Sequence, residues 1–105
     1  GVVSTAVGNG AKASALGASA LGNTADASGR GSMAFGYASK ASGVDALASG
    51  SNANASSMNA VAVGKDSNSS AVNAIALGQA SNASAVSAVE TTPLALAPVP
   101  RAAAL

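Results

Sequence analysis

A strict repeat of fourteen residues is the feature of this sequence that most limits its possible folds. From Gly1 to Ser84 the chain divides into six blocks of equal length, without an insertion. We number the positions of each block as places one to fourteen. Place six is always Ala, place eight is always Gly and place fourteen is always Ser. Because every copy has the same length and the same fixed residues, we expect each copy to form one structural unit that stacks on the next.

The pattern within one block predicts two short strands. Places four to eight alternate between small and larger residues, as in Ala60-Val61-Ala62-Val63-Gly64, and a period of two is typical of a strand. Places eleven and thirteen are Ala or Ser in every copy. Between the strands we expect a turn whose glycine adopts positive φ, and a second turn with Gly, Asp or Asn at place three in five of six copies. The predicted turn glycines are Gly8, Gly22, Gly36, Gly50, Gly64 and Gly78.

Two strands and two turns per block describe one coil of a β-solenoid, and two other interpretations compete with it. The abundant Ala favours a helix, but a Gly every fourteen residues would cost about 1 kcal/mol each, and the apolar residues recur at steps of two. The Ala, Ser, Gly and Asn bias also suits a disordered linker. A linker, however, has no need of an exact repeat, and charged residues make up only 9% of this chain.

The composition argues against several classes of function. Cys and His are both absent, so the chain has no thiolate ligand, no disulfide and no imidazole base for a serine nucleophile. The acids Asp26, Asp45, Asp66 and Glu90 are far apart in sequence, and no turn carries a calcium-repeat Asp in every copy. The net charge is +1, without a basic patch for nucleic acid. We therefore expect no enzyme, no cofactor and no metal site.

Two further solenoid classes also fit poorly. Hexapeptide-repeat acyltransferases have a period of six, which does not divide fourteen. Ice-binding solenoids need a column of Thr, but Thr5 and Thr24 do not share a place. The chain begins at Gly1 and not at a Met, so we expect an excised or processed piece. It has no run of eighteen apolar residues that could span a membrane, and its start has no basic region followed by an apolar one.

The strand at places four to eight predicts an oligomer. It is apolar or small on both of its faces, which suggests that one face points into the coil and the other contacts another subunit. The sequence does not say which face takes Ala and which takes the larger residues. The residues predicted to form the core or the subunit interface are Val7, Leu21, Met33, Phe35, Leu47, Val61, Val63, Ile75 and Leu77.

The second strand predicts a polar outer face. Stacked coils would bring the residues of place twelve about 4.8 Å apart in one column. Alternating charges and stacked amides favour such a column, either as a surface for a fibrous partner or as a solvated face without a function. Tyr37 and Lys65 follow the turn glycine and also point to the outside. The candidate ligand contacts are Lys12, Asp26, Lys40, Asn54, Asn68, Asn82, Tyr37 and Lys65.

The stretches NAVAVG (residues 59–64) and NAIALG (residues 73–78), each followed by short Ala and Ser alternation, resemble the head repeat of YadA-like trimeric autotransporter adhesins. Ser19–Gly22 and Met33–Gly36 match the same pattern, whereas Ser49 stands where a large apolar residue is expected. The resemblance implies an all-β fold, a left-handed parallel β-roll, with three chains side by side about one axis.

The same resemblance implies a function. It suggests a head, at residues 1–89, that attaches a bacterium to host cells or to extracellular matrix such as collagen. It implies anchoring in the outer membrane through regions outside this chain, with no membrane contact by the head itself. A structural spacer without binding activity is the alternative. Residues 90–105 contain three prolines, which cannot donate to a strand ladder, and we expect a cap, a linker or an added tail there.

Overall fold

The structure is a computed structural model, and it describes residues 3–91 of the chain. All of its regular elements are short β-strands. The longer strand of each coil spans Thr5–Val7 (β1), Ser19–Leu21 (β3), Met33–Phe35 (β5), Leu47–Ser49 (β7), Val61–Val63 (β9), Ile75–Leu77 (β11) and Val89–Glu90 (β13). The shorter strand spans Lys12–Ala13 (β2), Asp26–Ala27 (β4), Lys40–Ala41 (β6), Asn54–Ala55 (β8), Asn68–Ser69 (β10) and Asn82–Ala83 (β12).

The strands form two parallel sheets in which each strand pairs with the equivalent strand fourteen residues away. The odd-numbered strands form a seven-stranded sheet in the order β1-β3-β5-β7-β9-β11-β13, and the even-numbered strands form a six-stranded sheet. Ala34, for example, is in register with Ala20 on one side and Ala48 on the other. The prediction of a β-solenoid with fourteen-residue coils is therefore confirmed.

Each coil closes with two four-residue turns. In the first turn the N–H of place four donates to the carbonyl of place one, and in the second the N–H of place eleven donates to the carbonyl of place eight. The third residue of both turns, at place three or place ten, has φ between 56° and 76°. A positive φ at this position is the signature of a type II turn.

The turn glycines at place eight have a different conformation, with φ between 124° and 130°. The predicted positive φ at these residues is thus confirmed. The left-handed residues at place ten were missed by the sequence analysis, because Thr24, Ala38 and Ala80 are not residues that favour this conformation.

Small side chains, mostly alanine with some serine, fill the interior of the solenoid. The side chains at places four, six, eleven and thirteen point inward, and Ala20, Ala34, Ala48, Ala62 and Ala76 have no exposed surface. The structure thereby settles which face of the longer strand points inward: the small residues do. Since side chains alternate along a strand, the larger residues at places five and seven must lie outside.

The serines that replace alanine in the interior all find a backbone acceptor. The hydroxyls of Ser39, Ser67 and Ser81 donate to the place-eight carbonyl of their own coil at 2.8–2.9 Å. Ser32 Oγ donates to the Gly29 carbonyl at 2.6 Å, and Ser69 Oγ donates to the Ala74 carbonyl at 2.7 Å. A buried polar group that is hydrogen-bonded carries little penalty, which explains why Ala and Ser exchange freely at these places.

The solenoid extends slightly beyond the predicted end of the repeats. Glu90 belongs to β13 and pairs with Ala76, one residue after the predicted boundary at residue 89. Residues 92–105, most of the segment predicted to be a tail, lie outside the described residues. Within residues 3–91 no helix is long and apolar enough to cross a membrane.

Candidate interaction surfaces

Larger apolar side chains cover one outer face of the solenoid. We call the residues at places two, five and seven the apolar face. Of the nine residues predicted for the core or interface, Val7, Leu21, Met33 and Leu77 are 40–55% exposed, and none is fully buried. Phe35, Leu47, Val61, Val63 and Ile75 are half-buried. In one chain these residues therefore line the outside of the coil rather than its interior.

Place two carries exposed apolar residues as well, as expected from the sequence, although none of them was among the nine residues predicted for the core or interface. They lie in the turn that leads into the longer strand, and most of them are well exposed. The signal in the sequence is that place two, like places five and seven, is apolar in most of the coils. Among the described residues, the apolar members at place two are Leu16, Val44, Met58, Val72 and Val86.

The apolar face is unusual for a protein that stays monomeric. Leu16 and Met58 are about half exposed, at 54% and 49%, and Val86 is 68% exposed. Side chains of this kind recur in each coil along the whole stack, so they form a continuous strip rather than scattered residues. A continuous apolar surface of this kind marks a site of association.

The opposite face of the solenoid is polar and regular. The six-stranded sheet stacks Lys12, Asp26, Lys40, Asn54, Asn68 and Asn82 in direct register at place twelve. Beside this column runs a second one, which the sequence analysis did not select: the serine of place fourteen is exposed in all six coils. We call the residues of places twelve and fourteen the polar face.

The side chains of the polar face make few contacts with one another. The ion pair found in residues 3–91 joins Lys65 Nζ to Asp66 Oδ2 at 3.1 Å, so the stacked charges of Lys12, Asp26 and Lys40 do not form one. Asn54 Oδ1 and Asn68 Oδ1 are buried in the column without a hydrogen-bond partner. Neighbouring amides of this column are stacked but are not fully hydrogen-bonded.

Tyr37 and Lys65 lie away from this column, in the turn between the two sheets. Tyr37 is 60% exposed, and Lys65 is exposed and paired with Asp66. The two residues are two coils apart, roughly 10 Å along the stack. The structure therefore does not join all eight candidate contacts into one patch.

The acidic residues remain apart in the folded chain. Within residues 3–91, no group of three His, Cys, Asp or Glu side chains could hold a metal ion. Asp26, Asp45 and Asp66 occupy places twelve, three and ten, which are three different columns of the solenoid.

Comparison with known protein families agrees with this architecture. The family model of the YadA head domain repeat matches residues 1–25, 27–53, 41–67 and 69–89. The chain therefore belongs to the YadA head family, and it is a head domain of the trimeric autotransporter adhesin type. No curated protein matches the sequence. Head domains of this family, built as β-solenoids, are typically not enzymes.

Proposed function

We propose that three copies of this chain associate through their apolar faces, as a left-handed β-roll trimer, and form an adhesive head on a bacterial surface. The head would attach to host cells or to extracellular matrix protein. Anchoring in the outer membrane would be supplied by regions outside this chain. The observation that carries the proposal is the exposed apolar face of a chain whose own interior is already filled by alanine and serine.

The trimer follows from the need to cover that face. Residues such as Val7 and Leu77 would remain in water in a monomer, and removing apolar surface from water stabilises by about 25 cal/mol per Å². Family membership indicates three copies rather than two. The nine residues that the sequence analysis assigned to core or interface would then lie between subunits.

The polar face would point away from the trimer axis. Three copies would present three identical columns of Lys, Asp, Asn and Ser, and repeated weak contacts to one fibrous partner raise the effective affinity without any new contact. Exposed Lys12, Lys40 and Tyr37 are the side chains best suited to contact a partner such as collagen. Asp26, Asn54, Asn68, Asn82 and Lys65 complete the proposed contact set.

A binding assay with a designed variant tests the proposal. The chain is immobilised, and binding of collagen, of other matrix proteins and of cultured host cells is measured. The Lys12→Ala/Tyr37→Ala/Lys40→Ala variant should lose most of the binding, because it removes the three side chains proposed to make the main contacts. All three are exposed, so the fold should be kept. The matched control is Asn23→Ala/Gln79→Ala, which alters exposed residues outside the proposed set.

A spacer is the alternative function, and the uniform chemistry of the polar face favours it. Places twelve and fourteen of the last three complete coils hold Asn and Ser alone, and a neutral column of this kind has little to distinguish one partner from another. A folded trimer that binds none of the matrix proteins or cells would support the spacer and overturn the adhesive function.

A further inference from the structure

The apolar face poses a problem of alignment between subunits. Its three columns hold mostly apolar residues in successive coils, for example Val44, Met58 and Val72 at place two. The uncharged polar exceptions in the six complete coils are Thr5, Ser19 and Ser49. A neighbouring chain shifted by one coil, about 4.8 Å, would still meet aliphatic side chains over most of its length. The shift would lose the contacts of only one coil, so a residue that breaks the repeat would favour the unshifted alignment further.

Arg30 breaks the repeat on this face. It is the only charged residue at places two, five and seven from residue 3 to residue 91, and its neighbours in the column are Leu16 and Val44. Its side chain is exposed in the single chain. A guanidinium that becomes covered by a neighbouring subunit is destabilising unless it meets an opposite charge.

Asp45 supplies an opposite charge beside it. The Asp45 N–H donates to the Arg30 carbonyl at 2.9 Å, so the two residues are adjacent in successive coils. The Asp45 carboxylate leans back over Gly31, since a Cβ added there would come within 2.5 Å of Asp45 Oδ1. The carboxylate therefore lies close to the level of the coil that carries Arg30.

The charge of Asp45 is not explained by its turn. Its φ of 59° is the left-handed conformation of place three, and Asn59 and Asn73 adopt the same conformation at the same place without a charge. Those two asparagines bond to each other, from Asn59 Nδ2 to Asn73 Oδ1 at 3.1 Å. Asp45 is exposed, and within residues 3–91 neither it nor Arg30 takes part in an ion pair.

We propose that Arg30 of each chain pairs with Asp45 of the neighbouring chain, and that this charge pair fixes the axial alignment of the three subunits. The inference depends on the proposed trimer. In the aligned trimer the guanidinium and the carboxylate meet at one level of the stack. After a shift by one coil, Arg30 would meet Gly31 or Asn59, the place-three residues of the adjacent coils, and both charges would lose their partners.

The test uses the variant Arg30→Val/Asp45→Asn, which gives both columns the residues of their neighbouring coils. Amide spectra recorded by nuclear magnetic resonance on the nitrogen-15-labelled chain report the alignment. A trimer with one alignment is three-fold symmetric and gives one signal for each glycine amide, whereas a shifted subunit breaks the symmetry and adds signals. Loss of one charge-assisted contact per interface should raise the shifted population by about tenfold or more.

The matched control is Asp26→Asn/Lys40→Asn, which removes the same two charges from the polar face and should keep one set of signals. Light scattering on each sample gives the oligomeric state. Additional signals from the Arg30→Val/Asp45→Asn trimer, and not from the control, would support the charge pair. A variant trimer with a single set of signals would overturn the charge pair and leave the trimer standing, whereas monomers in every sample would overturn the proposed trimer and the charge pair together.

Discussion

The turn glycines of place eight allow the backbones of neighbouring coils to pack closely. The substitution Gly36→Ala tests this in the middle of the solenoid. Gly36 has φ of 130°, a conformation that L-residues with a side chain rarely adopt. A Cβ at this position would lie 2.7 Å from the Gly50 carbonyl oxygen and 2.8 Å from its carbon. Both atoms belong to the backbone of the next coil, so no side chain can move aside.

The expected loss of stability can be worked out from these contacts. The backbone strain of a side chain at this φ is about 1–3 kcal/mol. Relief of the clash requires the coils to separate by several tenths of an ångström, next to the hydrogen bond from the Gly50 N–H to the Phe35 carbonyl at 2.8 Å. Weakening that bond adds about 1 kcal/mol. We expect Gly36→Ala to lower the free energy of unfolding by about 2–4 kcal/mol in total.

Urea denaturation followed by far-ultraviolet circular dichroism measures this loss, with wild type and variant at the same protein concentration. Ala38→Gly is the matched control in the same turn. Ala38 has φ of 57°, so glycine there relieves a left-handed alanine and should change stability by about 1 kcal/mol at most. If the free energy of unfolding of Gly36→Ala lay within about 0.5 kcal/mol of the wild-type value, the reasoning on backbone contact would be refuted.

Three further predictions address the interior and the apolar face. Ala62→Leu should lower the free energy of unfolding by about 3 kcal/mol, because Ala62 has no exposed surface and the interior has no room; an unchanged melting temperature would contradict this. Ser67→Ala should lower the free energy of unfolding by about 1 kcal/mol at most, because it removes one hydrogen bond of 2.8 Å and Ala25 and Ala53 occupy the same place in other coils. Ser67→Val should lower the free energy of unfolding clearly more in the same urea titration. Ile75→Lys should dissociate the proposed trimer and leave a monomer whose circular dichroism is still that of β-structure. A sedimentation profile equal to that of wild type would argue against the apolar face as the interface.

Much of this fold could be predicted from the sequence because it follows from the period. The fourteen-residue repeat determines the register of both sheets, and the fixed glycine determines one turn in every coil. The orientation of the longer strand could not be predicted, since Ala-Val-Ala-Val alternation is consistent with either face pointing inward. The structure decides it: the inward-facing places of the second to sixth coils are filled by buried Ala and Ser alone, and the larger residues of the longer strand lie outside.

The turns and the surfaces show the same limit. Place ten was missed because Ala38 and Thr24 have no local preference for positive φ, so the stacking of neighbouring coils imposes the conformation. The column at place twelve could be predicted because identical places must stack. That Lys12, Asp26 and Lys40 form no ion pair could not be predicted, since ion pairing depends on side-chain conformation as well as on register.

The central claim is that the apolar face of this chain is covered by two further copies of itself. Light scattering combined with size-exclusion chromatography tests it most directly, with circular dichroism recorded on the same fraction. The account predicts a particle of about 29 kDa, three times the 9.6 kDa chain, with the spectrum of a β-protein. A folded β-protein of 9.6 kDa would contradict it, because places two, five and seven would then be exposed to water in the native state.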